Sequence, residues 1–261
     1  MTAPVATSPS QQHRVTAAIA NAAARTGVSF DYLMDQARIE SGMRPDARAG
    51  TSSASGLYQF TKQTWLSTVK QHGDAHGLDW AANAISKNAD GTFAVADTAL
   101  RSSILDLRNN PEAAAAMAAE FAADNENYLQ ARVGSSPEPV DLYLAHFLGA
   151  EGAARFLSAH DENPDQAAAM LFPAAASANH PIFYQDDGRT RSLSEIRRNF
   201  AAKLGNSLSQ PPTFARLERQ GTKSTAQPHT PMTLAQMEPM PKRLDLDFAR
   251  QAYRRLSGGA A

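Results

Sequence analysis

The stretch from Asn110 to Gly134 constrains the fold more than any other part of the chain. It opens with Pro111, continues through a run of alanine and ends before a glycine. Proline is favoured in the first turn of a helix, alanine has the highest helix propensity, and glycine commonly follows the last turn. We therefore predict a long helix over 111–132, against which other helices can pack.

Helical periodicity extends over most of the remaining chain, and no useful length alternates with a period of two. The sequence therefore predicts an all-α fold. Besides 111–132, the predicted helices cover 13–26, 30–41, 61–72, 93–108, 138–148, 150–159 and 192–204. The longest predicted loops are 43–55 and 173–191.

Composition divides the chain into four segments. Residues 1–12 are rich in Pro, Ser, Thr and Gln and are predicted to be a disordered tail, whereas 13–205 form the helical domain. A Pro/Thr/Gln-rich linker is predicted over 206–242, followed by a short amphipathic helix over 243–257. Residues 206–261 hold eight Lys and Arg against four Asp and Glu. The terminal helix either packs on its own domain, docks on a protein partner or serves export.

Overall composition excludes several classes of function. A net charge of -1 gives no reason to expect nucleic acid as a partner. The chain has no cysteine, so neither disulfides nor thiolate metal sites are expected. The N-terminus lacks the basic and apolar regions of a Sec signal, and no apolar run reaches about eighteen residues. We expect a monomer with no membrane span.

A candidate catalytic acid lies at the end of the predicted helix 30–41. Glu40 falls on the same helical face as Phe30, Leu33 and Ala37, so its carboxyl group is expected to be partly buried. Desolvation disfavours the charged form of a carboxyl group. That environment suits a general acid that must hold its proton near neutral pH.

A second motif follows this glutamate. Glu40-Ser41 and then Gly56-Leu57-Tyr58-Gln59 resemble the lytic transglycosylases of the soluble-transglycosylase, goose-lysozyme-like superfamily, whose pattern is Glu-Ser followed by Gly-Leu-Met-Gln. Phage-type members with Gly-Leu-(Phe/Tyr)-Gln-Phe are the most similar. The resemblance continues in the Ala-rich helix ending at Tyr128-Leu129 and in Tyr143–Gly149, which stands in place of the family's Ala-Tyr-Asn-Ala-Gly motif. His146-Phe147 departs from that pattern.

The resemblance implies a lysozyme-like domain over roughly 13–205 that cleaves peptidoglycan between MurNAc and GlcNAc and leaves 1,6-anhydro ends. The site of action would be the periplasm or cell envelope, and no cofactor is implied. Glu40 would serve as the sole acid and base. The residues expected to contact substrate are Ser41, Gly56, Tyr58, Gln59, Tyr143, His146 and Tyr184. For Gln59, a hydrogen bond to the preceding loop is an equal alternative.

Two alternatives to a lytic transglycosylase remain open. If Asp46 faced the cleft it could direct water, and the enzyme would be a hydrolytic lysozyme. A non-catalytic peptidoglycan-binding or assembly module of a secretion or flagellar apparatus would keep the fold and use the C-terminal tail to recruit partners.

His72 and His76, at i and i+4, could place two metal ligands on one helix face. A third ligand is not evident, so we expect no metal.

Overall fold

The computed structural model of the chain describes residues 9–50 and 52–208, with side chains to residue 205. Its fold is all-α, as predicted. The α-helices of the described residues are α1 (Pro9–Thr26), α2 (Phe30–Ser41), α3 (Lys62–His72), α4 (Asp79–Ala84), α5 (Thr98–Asp106), α6 (Pro111–Val133), α7 (Pro139–Leu148), α8 (Ala150–Glu162), α9 (Ala168–Leu171), α10 (Pro173–Ala178), α11 (His180–Phe183) and α12 (Leu193–Leu208). Two 3₁₀ turns, Gly73–His76 and Leu107–Asn109, and one antiparallel ribbon, β1 (Ser86–Lys87) with β2 (Phe93–Ala94), complete the described structure.

The predicted Ala-rich helix, α6, lies at the centre of the fold. Its N-cap Asn110 accepts a hydrogen bond from the backbone N–H of Ala113 at 2.9 Å, and Gly134 ends it in the left-handed conformation. Alanines are buried on several faces of α6, and α1, α3, α7 and α8 all pack against it. Small side chains permit this close approach on many sides at once.

The helix that carries Glu40 is capped at both ends. Ser29 accepts a hydrogen bond from the backbone N–H of Tyr32 at 3.3 Å, and Gly42 ends α2 with φ +62°. The predicted bounds of 30–41 are therefore confirmed. Because α2 packs against α1, α6 and α12, most of its side chains are buried.

Helix α1 begins earlier than predicted, at Pro9 within the segment 1–12. Proline suits the first turn of a helix, and a polar composition is compatible with the exposed face of α1. At the other end, α12 continues to Leu208, beyond the predicted domain boundary at 205. Residues 1–8, the rest of the predicted linker 206–242 and the predicted helix 243–257 lie outside the described residues.

The prediction of a single helix over 93–108 is wrong. Residues 93–94 form β2, and α5 starts only at Thr98, after the N-cap Asp97. Gln63 holds Phe93 in an extended conformation, because its amide donates to the Phe93 carbonyl at 3.0 Å and accepts from the Phe93 N–H at 2.8 Å. This contact between distant residues overrides the local helical pattern.

The predicted loop over 173–191 contains two short helices, α10 and α11. Each has a proline in its first turn, Pro173 and Pro181. Helices of four to six residues are too short for hydrophobic periodicity to reveal.

The buried side chains from Val15 in α1 to Leu204 in α12 form one hydrophobic cluster. Within the described ranges, no helix is both long and apolar enough to cross a membrane.

Candidate active site

Glu40 lies in the last turn of α2 and is only 2% exposed. The chain reverses immediately after it, through Gly42 and Met43, which both have positive φ angles. Their backbone N–H groups donate to the carbonyls of Arg38 and Ala37 at 2.9 and 3.2 Å. Gly42 is exposed, so the buried carboxyl group lies next to a turn that reaches the surface. The expected burial of Glu40 is confirmed and is nearly complete.

A stripe of polar side chains runs along α2 toward this carboxyl group. Tyr32, Gln36 and Glu40 follow one another at intervals of four, and each is 2–3% exposed. Helix α7 places His146 against the stripe, with Nε2 at 3.3 Å from Oε1 of Glu40 and Nδ1 at 3.1 Å from Nε2 of Gln36. One imidazole ring therefore joins two polar residues of α2.

Two buried phenols lie close to Glu40. Burial raises the pKa of Tyr32 above its usual range, and the negative charge of Glu40 raises it further. The pKa of Tyr143, on α7, is raised first by burial and then by the charges of Glu40 and Tyr32. Both phenols are therefore neutral near physiological pH and keep a proton with which to donate a hydrogen bond.

Ser41 is engaged within its own helix end. Its Oγ donates to the carbonyl of Ala37 at 3.0 Å and accepts from the backbone N–H of Arg44 at 3.1 Å. These contacts stabilise the reversal that follows Glu40. The role of Ser41 in binding substrate stays a prediction.

Gln59 and Gly56 shape the loop of the second motif. Gln59 has φ +49°, and its amide donates to the carbonyls of Ala47 and Gly56 at 3.0 and 2.9 Å. These bonds match the alternative in which Gln59 holds the preceding loop. A Cβ on Gly56 would lie 1.8 Å from the carbonyl oxygen of Arg108, so only glycine fits there. The guanidinium of Arg108 also donates to the Ser53 carbonyl at 2.7 Å.

The two other tyrosines predicted to bind substrate differ in their surroundings. Tyr58 is 1% exposed, which leaves no ring face open to a sugar in this conformation. Burial raises its pKa well above the usual value, and its hydroxyl has no hydrogen-bond partner among the described residues. Tyr184, between α11 and α12, stacks on His180 with ring centroids 4.2 Å apart. Both roles in substrate binding stay predictions.

Glu40 differs from the other buried carboxylates of the described region. Asp35 is paired with Arg38 at 3.0 Å, and Asp141 with Arg197 at 2.9 Å. Glu40 contacts a histidine, and its charge acts on two buried phenols. Asp46, the carboxylate that could direct water in a hydrolytic lysozyme, is exposed in the loop after α2.

The histidines considered as metal ligands are bound to carboxylates of α6. His72 lies 2.8 Å from Asp124 and 3.4 Å from Glu120, and His76 lies 2.7 Å from Glu120. His72 thus turns its two nitrogens to different carboxylates, whereas a shared metal would need lone pairs that converge on one point. Among the described residues, no group of three or more His, Asp or Glu side chains is arranged to hold a metal ion.

Sequence reasoning missed Tyr32 and Gln36. Their spacing from Glu40 places all three on one helix face, and that polar stripe was visible in the sequence. The contact with His146 was not visible, because it depends on how α7 packs beside α2.

No protein-family model matches the sequence.

Proposed function

We propose that the protein is a peptidoglycan lytic transglycosylase with Glu40 as its acid and base. The observation that carries the proposal is the position of Glu40, which is buried at a helix end, next to an exposed turn and in contact with His146. The sequence motifs around Glu40 supply the substrate class.

A single carboxyl group fits this chemistry. Hydrolytic glycosidases generally use two, about 5 Å apart in retaining enzymes and about 6.5–9.5 Å apart in inverting ones. Asp35 and Asp141 are each paired with an arginine, and Asp46 is exposed. These surroundings support a reaction in which the substrate supplies its own nucleophile.

In the proposed reaction, Glu40 first donates its proton to the oxygen that bridges MurNAc and GlcNAc, and the bond from C1 of MurNAc to that oxygen breaks. The N-acetyl carbonyl of the same MurNAc stabilises C1. Ionised Glu40 then accepts the proton of the MurNAc C6 hydroxyl, whose oxygen bonds to C1. A 1,6-anhydro ring forms, no water is consumed, and Glu40 regains its proton. Since this polymer lies outside the inner membrane, we propose that the enzyme acts in the periplasm or cell envelope.

The test is a digest of purified peptidoglycan with the wild type, Glu40→Gln and Asp46→Asn, analysed by mass spectrometry. We expect anhydro-muropeptides, lighter than hydrolysed ends by one water, from the wild type and Asp46→Asn but not from Glu40→Gln. The amide keeps the size of the side chain but cannot donate and retrieve the proton. Circular dichroism checks that the variant remains folded.

Each other result contradicts the proposal in a specific way. Reducing ends from the wild type, lost in Asp46→Asn, would identify a hydrolytic lysozyme. Retained cleavage by Glu40→Gln would remove Glu40 as the acid. Binding of peptidoglycan without release of any fragment would favour the non-catalytic module.

A further inference from the structure

Gln36, His146 and Glu40 form a continuous polar chain between α2 and α7. Gln36 is 3% exposed, and its Nε2 lies 3.1 Å from Nδ1 of His146. Nε2 of the same ring lies 3.3 Å from Oε1 of Glu40. The reaction described above assigns no task to Gln36 or His146.

The amide of Gln36 determines which ring nitrogen carries the proton. In the orientation that the structure gives the amide, Nε2 of Gln36 is a donor without a lone pair to offer, so Nδ1 of His146 accepts. In the neutral ring the proton is then on Nε2, the atom that faces Oε1 of Glu40. At 3.3 Å these two atoms do not form a hydrogen bond in this structure, but catalytic contacts commonly tighten when substrate binds.

We infer that Gln36 fixes the tautomer of His146, and that His146 thereby orients the carboxyl group of Glu40 through Oε1. This inference rests on the proposed function of Glu40. A neutral N–H donor suits both steps, because Oε1 can accept a hydrogen bond as part of a carboxylate or as the carbonyl oxygen of a carboxylic acid. His146 is thus a positioning residue that need not touch the sugar.

Aromatic rings lie around Glu40 and His146. The phenols of Tyr32 on α2 and Tyr143 on α7 lie close to Glu40, and the Phe121 ring on α6 lies 6.5 Å from the imidazole. On α12, Arg197 binds Glu138 and Asp141, and Lys203 lies over the Phe200 ring.

A kinetic series separates positioning from packing. His146→Leu fills the site without a donor, whereas His146→Gln restores an N–H that can reach Glu40. We expect kcat to fall about 100-fold in His146→Leu and about tenfold or less in His146→Gln, with KM within about twofold in both. His160→Gln on α8, another partly buried histidine, is the matched control and should keep wild-type kcat. Equal kcat in the Leu and Gln variants would overturn the inference.

Gln36→Glu tests the contact between Gln36 and Nδ1 of His146. A carboxylate opposite Nδ1 favours the doubly protonated ring, whose positive charge would hold Glu40 ionised. Activity at neutral pH should fall and recover toward acidic pH, so the alkaline limb of the kcat profile moves to lower pH. An unmoved limb would contradict the assigned tautomer.

Nitrogen NMR of the intact protein tests the tautomer without turnover. With ¹⁵N-labelled histidine, the His146 signals are identified by their loss in His146→Gln. We expect the Nε2–H tautomer in the wild type near neutral pH, and a mixture of tautomers in Gln36→Leu. The Nδ1–H tautomer in the wild type, or an unchanged tautomer in Gln36→Leu, would overturn the inference. If the wild type forms no anhydro product the proposed function fails, and the NMR result still decides the tautomer.

Discussion

At the scale of single residues, the second motif is required by the local fold. Gly56 has φ +84°, and its Cα faces the carbonyl of Arg108 with no room for a side chain. Gln59 completes the loop by binding the carbonyls of Ala47 and Gly56. A glycine and a glutamine at these positions therefore serve the loop whether or not a sugar binds beside them.

Replacing Gly56 with alanine should destabilise the protein strongly. Its Cβ would clash with backbone atoms of Arg108, which cannot move as a side chain could. Strain at positive φ adds to the clash, and together they are expected to cost about 2–5 kcal/mol. Gly188→Ala is a matched control, since its φ is also +84° but nothing lies within 4 Å of the added Cβ. Urea unfolding should show a much smaller loss for Gly188→Ala, and equal losses would refute the clash.

The sequence revealed Glu40 because its helix has clear caps and an apolar face. The same face carries Tyr32 and Gln36, which follow from the spacing once Glu40 is identified. His146 could be singled out only as a helical histidine. Its contact with Glu40 spans helices far apart in the chain, and no local pattern encodes such a distance.

At the scale of elements, contacts between histidines and carboxylates connect the end of α3 to α6. His72 binds Asp124, and His76 in the following 3₁₀ turn binds Glu120. Burial by itself lowers the pKa of His72, but the hydrogen bond to Asp124 and the nearby negative charges outweigh it and raise the pKa above 6.5. The protonated form of His72 therefore stabilises this junction.

The contribution of His72 to stability should depend on pH. A histidine whose pKa is raised by folding stabilises the native state fully below its unfolded pKa, and that stabilisation is lost as pH rises through the folded pKa. The difference in urea midpoint between the wild type and His72→Gln should be larger at about pH 6 than at about pH 8. His13→Gln, on the exposed side of α1, corrects for the loss of an imidazole in general. A difference that grows with pH would contradict the raised pKa.

Long elements were predictable and short ones were not. The bounds of α2, α6 and α7 follow from caps and periodicity that are local in sequence. The β1–β2 ribbon depends instead on Gln63, which holds Phe93 from α3. Helices such as α9 have too few residues for an apolar face to recur.

At the scale of the whole molecule, a single core surrounds the candidate site. Buried side chains from α1 to α12 form one cluster, and α2 lies between α1, α6 and α12. The polar stripe of Tyr32, Gln36 and Glu40 is embedded in this core, where unpaired polar groups are costly. Their arrangement around His146 therefore depends on the packing of the entire helical domain.

We predict that a chain ending at Leu208 retains the fold and the proposed activity. The described residues from Val15 to Leu204 already form one hydrophobic cluster, and we expect the free energy of unfolding to change little when 209–261 are removed. Urea unfolding and the release of anhydro-muropeptides are the two measurements, with Glu40→Gln in the same shortened chain as the inactive control. If turnover is lost while the unfolding midpoint is kept, residues 209–261 take part in catalysis. If both the unfolding midpoint and turnover are kept, residues 209–261 are needed for neither and can serve docking or export.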